Sequence, residues 1–324
     1  MKKQLIRDLR IGDEVETQAL VVELNRANYS APHRAGEFFL KLVLGDVSGR
    51  VKGVMWEPPA GDEVKQGDVV FVRGSVTDYH GPQVVVNDIR ALDASKVNRA
   101  FFQPVAEREP VEMMKELKVY IDEEVKDKYL KALLELFFAD RELIGRFATA
   151  PAARTIHHSY VGGLVEHTLE VIALCRELVR QYPEKLRFEL LIAGAFLHDI
   201  GKVEEYRQDS LSFDFTDRGK LVGHISIGKE MLDEKLRGLE GFPEDLRLEL
   251  QHMMLTHHGM REWGSPEIPK TFHAFALFHA DLVSARMNQF LSVMNRHQPE
   301  SGEWTEWDRF LERSVFVPAG EGEE

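Results

Sequence analysis

The stretch EFFLKLVLGDVSGRVKGVMW, Glu37 to Trp56, alternates apolar and polar side chains on either side of the tetrapeptide Asp46-Val47-Ser48-Gly49. Period-two alternation marks a strand with one buried face, and a short Asp- and Gly-containing break between two such runs closes a hairpin. Outward from it, VETQALVVEL (Val15 to Leu24), DVVFVRGSVTDY (Asp68 to Tyr79) and PQVVVNDIRAL (Pro82 to Leu92) repeat the pattern. Tyr79-His80-Gly81-Pro82 supplies a second tight turn. Five β-rich runs between Glu14 and Leu92 predict a small barrel, and a five-stranded Greek-key barrel of this size is the OB-fold. An SH3-like barrel is the alternative.

The remainder reads differently. Periodicity lapses over 93–110, which is expected to be a linker after a barrel domain over 1–92. Apolar residues then recur at three-and-four spacing, predicting helices over 112–139, 141–148, 159–182 with Ser159 as cap, 186–199, 221–236, 243–257 and 271–294. The whole is therefore multidomain α+β, with an all-α bundle over 111–297. The tail over 298–324 contains GEWTEWDRFLERSVFVP and is too aromatic to stay solvated. It is expected to pack on a domain or on a neighbouring subunit, which admits a homo-oligomer.

The chain has 324 residues, one cysteine and a formal net charge of −13. That length is comfortable for two cores. Cys175, inside an apolar run, is expected to be a buried, inert thiol, and a chain without a disulfide framework suits a reducing, cytoplasmic compartment. The opening MKKQLIRDLRIGDEVE lacks an apolar segment, and no run approaches the roughly 18 apolar residues of a membrane span. The acidic balance argues against coating nucleic acid through charge alone, so any such contact must be local, stacking-assisted or metal-assisted.

Chemistry concentrates in the helical half. His167 shares a face with Leu164, Val171, Leu174 and Leu178, so its imidazole points inward; a satisfied core histidine would explain it alone. Asp199 ends the apolar run LLIAGAFL and follows His198. A carboxylate buried there needs a cation, either a metal or Lys202 three residues on. Asp281 lies among Ala274, Leu277, Phe278 and Ala285; His257-His258 precede Gly259 at a helix end; and His224 opens another apolar helix. Seven N and O donors on separate helices, with no cysteine among them, suit hard or borderline divalent ions.

His167, His198-Asp199, His224, His257-His258 and Asp281 stand in the order of the ligand set of the HD phosphohydrolase superfamily in its binuclear form. The chain resembles, over nearly its whole length, the YhaM-type 3′-to-5′ exoribonucleases, which join an OB-fold to an HD domain. The segments that carry the resemblance are HHSYVGGLVEHT (157–168), FLHDIGK (196–202), GKLVGHISIG (219–228), THHG (256–259), HADLVSARMN (279–288) and GEWTE (302–306). It implies one ion on His167, His198, Asp199 and Asp281, and a second on His224, His257 and His258, with Asp199 bridging. Manganese is the ion expected first, with Fe, Mg, Co or Zn as alternatives. The three-metal HD-GYP enzymes carry an acidic residue where this chain has Gly163, so a third ion is not expected.

Lys202 could neutralise a phosphate or pair with a ligand carboxylate, and the phosphate role is the one expected. His157 and His158, shortly before the first ligand, are candidates for substrate contact against the default of surface histidines. On the barrel, Tyr29, Arg34 and Trp56 are the candidates for gripping a strand, because base stacking beside cations is how such folds hold single strands. Phe39 and Phe71 are expected inside the barrel. The function implied is a metal-dependent phosphodiesterase digesting single-stranded RNA, or single-stranded DNA, from the 3′ end. A nucleotide or cyclic-dinucleotide phosphohydrolase and a non-catalytic nucleic-acid adaptor are the alternatives.

Overall fold

The structure, a computed structural model, describes residues 4–29, 32–34, 36–58, 64–93, 96–98, 101–154, 157–207, 213–296 and 302–318. Two compact units divide the chain, the first reaching Pro104 and the second starting at Val105. Ser30, Ala31 and Ala35 of the Tyr29 loop lie outside the described residues, as do 94–95 and 99–100 of the expected linker and 298–301 and 319–324 of the tail.

In the first unit, β1 (Glu14–Asn28), β2 (Phe38–Asp46), β3 (Gly49–Met55), β4 (Val69–Asp78) and β5 (Pro82–Ala91) close into a barrel in the order β1-β2-β3-β5-β4. Every neighbouring pair is antiparallel except β3 with β5. This is the OB-fold topology, and it sets the SH3-like alternative aside. Period-two burial drives the closure: Val15, Ala19 and Val21 of β1, Leu40, Leu42 and Leu44 of β2, and Val70, Val72 and Val76 of β4 point into one core. Asp46 and Gly49 pair across the β2–β3 turn, where Asp46 Oδ1 accepts from Ser48 N at 2.7 Å.

The same parity corrects one expectation. Phe39 and Phe71 occupy the alternate positions to those core residues, so both lie half-buried on the outside of the barrel. Phe71 has the guanidinium groups of Arg73 and Arg90 over its ring. The segment expected as linker is also partly built into this unit. The Phe101 carbonyl accepts from Val47 N at 2.9 Å, and Phe102 packs with Leu20 and Val69. The buried Phe102 ring and the Phe101 carbonyl anchor what the lapsed periodicity suggests is free chain.

The second unit holds α1 (Pro110–Glu124), α2 (Lys128–Ala139), α3 (Arg141–Thr149), α4 (Gly163–Gln181), α5 (Phe188–Leu197), α6 (Lys202–Glu205), α7 (Asp217–Val222), α8 (His224–Arg237), α9 (Glu244–Thr256) and α10 (Phe272–Arg296). Three expectations shift. The run over 112–139 breaks into α1 and α2 because the Asp127 carboxylate accepts from Tyr129 N and Leu130 N and starts a new helix. The run over 221–236 breaks at Gly223, whose φ of 77° ends α7. Ser159 does not cap α4: its hydroxyl donates to the Arg154 carbonyl at 2.6 Å, and the helix begins at Gly163. From Leu190 to Leu197 helix α5 is apolar on every side and is buried by α4, α9 and α10 among others. In the tail, β6 (Glu303–Trp304) pairs with β7 (Phe316–Val317), and Leu311 and Val315 pack on Val293 of α10. Among the described residues no helix is long and apolar enough to cross a membrane.

Candidate metal centre

Because α5 buries all its faces from Leu190 to Leu197, the two residues that follow it are carried into the interior of the bundle. His198 has no exposed surface, and Asp199 is 2 % exposed. His167 arrives from α4 and Asp281 from α10, while His224 opens α8 and His257-His258 follow α9. Gly201 allows the approach of α8: a Cβ there would stand 2.0 Å from the His224 carbonyl.

The two oxygens of Asp199 face different histidines. Oδ2 lies 3.3 Å from His198 Nε2 and 3.8 Å from His167 Nε2. Oδ1 lies 3.5 Å from His224 Nε2 and 3.6 Å from His257 Nε2. Asp281 Oδ1 stands 3.1 Å from His167 Nε2. Donor atoms of His167, His198 and Asp199 fall within 4.8 Å of one another, as do those of His224, His257 and His258. Both groups can hold a metal ion.

All five histidines present Nε2 to the centre because Nδ1 is engaged elsewhere. His198 Nδ1 lies 2.8 Å from the Ala195 carbonyl, His257 Nδ1 2.7 Å from that of Met254, and His258 Nδ1 3.1 Å from that of Trp263. His224 Nδ1 meets Glu205 Oε1 at 3.1 Å, and the same oxygen accepts from His224 N at 3.0 Å. His167 Nδ1 meets Ser284 Oγ at 2.9 Å, whose hydroxyl donates to Glu170 Oε2 at 2.6 Å. With an oxygen acceptor at Nδ1, each ring when neutral carries its proton there and leaves a lone pair at Nε2, the arrangement metal-binding histidines require. Asp199 Oδ1, His224 Nε2 and His257 Nε2 are buried with no hydrogen-bond partner among the described residues. Buried polar atoms converging without partners fit a cation between them.

The electrostatics agree. Burial opposes ionisation of Asp199, but the Lys202 ammonium and the His198 imidazole outweigh it and hold the carboxyl well below the usual range. Burial likewise opposes ionisation of Asp281, and the His167 hydrogen bond and the charge of His198 reverse its effect. Burial pulls His167 and His257 down, and pulls His258 to about 3 with help from His257 and His224. These three rings are neutral at ordinary pH, which is the ligating form. His198 goes the other way: burial opposes its charge, but the Asp199 carboxylate outweighs burial and raises its pKa, a pull that a cation beside Asp199 would oppose.

Lys202 Nζ sits 2.5 Å from Asp199 Oδ2, largely buried, so the ion pair with a candidate ligand carboxylate is present in the structure. Lys202 also lines a cavity of about 310 Å3 over Asp199, His257, His258 and Asp281. His157 lines that cavity too. His158 does not. It is fully buried in a left-handed backbone conformation (φ 43°), with Nε2 3.2 Å from Glu170 and its backbone N donating to Asn288 Oδ1 at 2.8 Å. Neither histidine is the surface residue its default reading suggests.

On the barrel, Tyr29, Arg34 and Trp56 come together. The Tyr29 hydroxyl donates to the Trp56 carbonyl at 2.6 Å, and the Arg34 guanidinium lies 3.6 Å from the Tyr29 ring centroid. Phe39 joins them, its ring 4.9 Å from that of Trp56 and 5.1 Å from that of Tyr29.

The HD domain family matches residues 164–286, a span that contains all seven candidate ligands. The 3′-5′ exoribonuclease YhaM of Bacillus subtilis is 34 % identical over 313 residues, covering 95 % of this chain and 96 % of that protein. The protein of the same name from Shouchella clausii is 32 % identical, covering 97 % and 96 %. The chain belongs to the YhaM family of 3′-5′ exoribonucleases. Over 30 % of its length the chain is also similar to the second OB-fold domain of replication protein A from Methanococcus maripaludis, at 27 % identity over all of that domain and a TM-score of 0.26.

For this YhaM-family chain, sequence reasoning missed Glu205, Ser284 and Glu170 behind the histidines. It also missed Trp263, Phe278, Arg286 and Gln289, which form one wall of the cavity. Only Ser284 left a trace in the sequence, a hydroxyl three residues after Asp281 and hence on the same helical face.

Proposed function

We propose that this chain is a cytoplasmic, metal-dependent exoribonuclease that shortens single-stranded RNA from its 3′ end, using two divalent ions, manganese first. The observation that carries the reading is the division of Asp199 between two sets of histidines, its Oδ2 toward His167 and His198 and its Oδ1 toward His224 and His257. One ion would rest on His167, His198, Asp199 and Asp281, and the other on Asp199, His224, His257 and His258. With two ions so held, the site would gain an activated water and charge neutralisation on the attacking and leaving oxygens of a phosphodiester.

The chain's own residues do the rest. The Nδ1 contacts keep each Nε2 lone pair aimed at the centre without reorganisation. Lys202 holds Asp199 Oδ2 and offers the cavity a positive charge beside the phosphate. His157, on the cavity wall, orients the strand end, while His158 is assigned a packing role behind His167. Tyr29, Arg34 and Trp56, with Phe39, make a stacking surface on the OB-fold that grips unpaired bases, which suits a chain too acidic to hold RNA by charge alone.

A nucleotide phosphohydrolase is the second reading, favoured by the cavity's volume, which lies at the lower end of the roughly 300–1,000 Å3 of small-molecule sites. End-labelled single-stranded RNA and DNA, incubated with the protein under several divalent ions, separate the two. A ladder shrinking from the 3′ end, strongest with RNA and Mn, is the expected result; intact strands alongside hydrolysed free nucleotide would overturn the exonuclease reading.

A further inference from the structure

The cavity over the histidines has a floor of candidate ligands and a wall of a different character. Trp263, 46 % exposed, and Phe278 stand on that wall with ring centroids 6.3 Å apart, and Arg286 and Gln289 of α10 complete it. Trp263 is tied to the centre, since its carbonyl receives His258 Nδ1. Its indole is left facing the cavity and solvent.

Gln289 is the unusual member. It is 3 % exposed, and its Oε1 accepts from the Arg286 guanidinium at 3.0 Å, which sets the orientation of the amide. Its Nε2 is buried with no hydrogen-bond partner among the described residues. Nearly all buried amide donors in folded proteins are paired, so a lone one on a residue of the cavity wall points to a ligand acceptor. A flat aromatic face, a single amide donor and a guanidinium beside a phosphodiester centre together describe a nucleoside with its phosphate.

We propose that this cavity receives the 3′-terminal nucleoside of the strand, its base stacked on Trp263 and its edge accepting a hydrogen bond from Gln289 Nε2. The inference rests on the exonuclease reading above. N3 of purines and O2 of pyrimidines are acceptors in corresponding positions, so one donor there holds any base without choosing among them. Attack of water on the terminal phosphorus, cleavage of its bond to the upstream O3′ and protonation of that oxygen leave the released nucleotide with a 5′-phosphate. The pocket is thus a product site for nucleoside 5′-monophosphates as well.

The test is calorimetric binding of 5′-AMP, 5′-UMP and inorganic phosphate to the full-length, Mn-loaded protein, beside the 3′-release assay. Both nucleotides are expected to bind at least tenfold tighter than phosphate. Gln289→Glu keeps the acceptor for Arg286 but loses the donor, and is expected to cut that preference about tenfold at unchanged metal content. Trp263→Ala, on the exposed side of the wall, is expected to do the same and decides the matter if the first variant misfolds. Equal affinity for nucleotide and phosphate in the unsubstituted protein, or variants that keep its preference, would overturn the pocket while leaving 3′ digestion standing. Nucleotide binding without any release from RNA would overturn the exonuclease reading and this inference with it.

Discussion

Replacing Asp199 by Ala tests the centre and the packing beneath it together. The carboxylate is 2 % exposed and its Oδ2 lies 2.5 Å from Lys202 Nζ, itself 6 % exposed. Truncating the aspartate alone strands that ammonium in the interior. Breaking one side of a buried ion pair costs about 3–5 kcal/mol. For a unit of this size each kcal/mol shifts the melting temperature by about 2–4 °C, so metal-free Asp199→Ala should melt about 6–20 °C lower. The double variant Asp199→Ala, Lys202→Met removes both charges and fills the space with an unbranched apolar chain, so it should recover most of the loss. Neither variant should degrade RNA or retain a full complement of metal, because the group facing both sets of histidines is gone. Melting curves of the metal-free proteins, metal analysis and the end-labelled RNA assay read these outcomes. Single and double variants that melt alike would show that the ion pair does not carry the stability assigned to it. Undiminished, ion-dependent turnover in Asp199→Ala would refute the bridging role itself.

Ser284→Ala, which takes the acceptor from His167 Nδ1, should weaken metal binding about 10–100-fold in a competition titration. Wild-type affinity would mean that the tautomer is fixed some other way. Trp56→Ala should weaken single-stranded RNA binding by about 1–3 kcal/mol in filter binding, and no change would move the grip away from the Tyr29 cluster. Asp127→Ala should cost about 1 kcal/mol at neutral pH through loss of the α2 cap. Burial opposes ionisation of Asp127, but backbone N–H groups and Arg187 depress its folded pKa, so its contribution is present above the unfolded carboxylate range and fades as pH falls through the folded value. The gap between variant and parent in urea titrations should therefore narrow from pH 6 toward pH 3. Digestion should slow at the base of a stem, since a cavity of about 310 Å3 takes one nucleotide and no base pair; equal rates through the tail and stem of a 3′-tailed hairpin would disprove it.

How far the structure could be read in advance follows from which forces act locally. The barrel was legible because alternation is a property of the chain itself: Leu40, Leu42 and Leu44 fall on one face of the strand, with Lys41 and Val43 on the other. Alternation alone leaves open which parity faces in until the register is known; Phe39 takes the outer one, and the Tyr29–Trp56 cluster is where such an outward ring goes. The candidate ligands were legible for the opposite reason, since histidines and aspartates on apolar helices are costly where they stand and need an explanation. Their supports carry no such cost. Ser284 and Gln289 are ordinary residues on an amphipathic helix until the bundle closes around them, and Ser284 meets a histidine 117 positions away. The acceptors that orient His198, His257 and His258 are further out of reach, because they are backbone carbonyls. Every residue has one, so what selects Ala195, Met254 and Trp263 is the path of the chain. The ligands are thus a matter of side-chain chemistry and their aim a matter of fold, which is why metal affinity should respond to Ser284→Ala although serine binds no metal here.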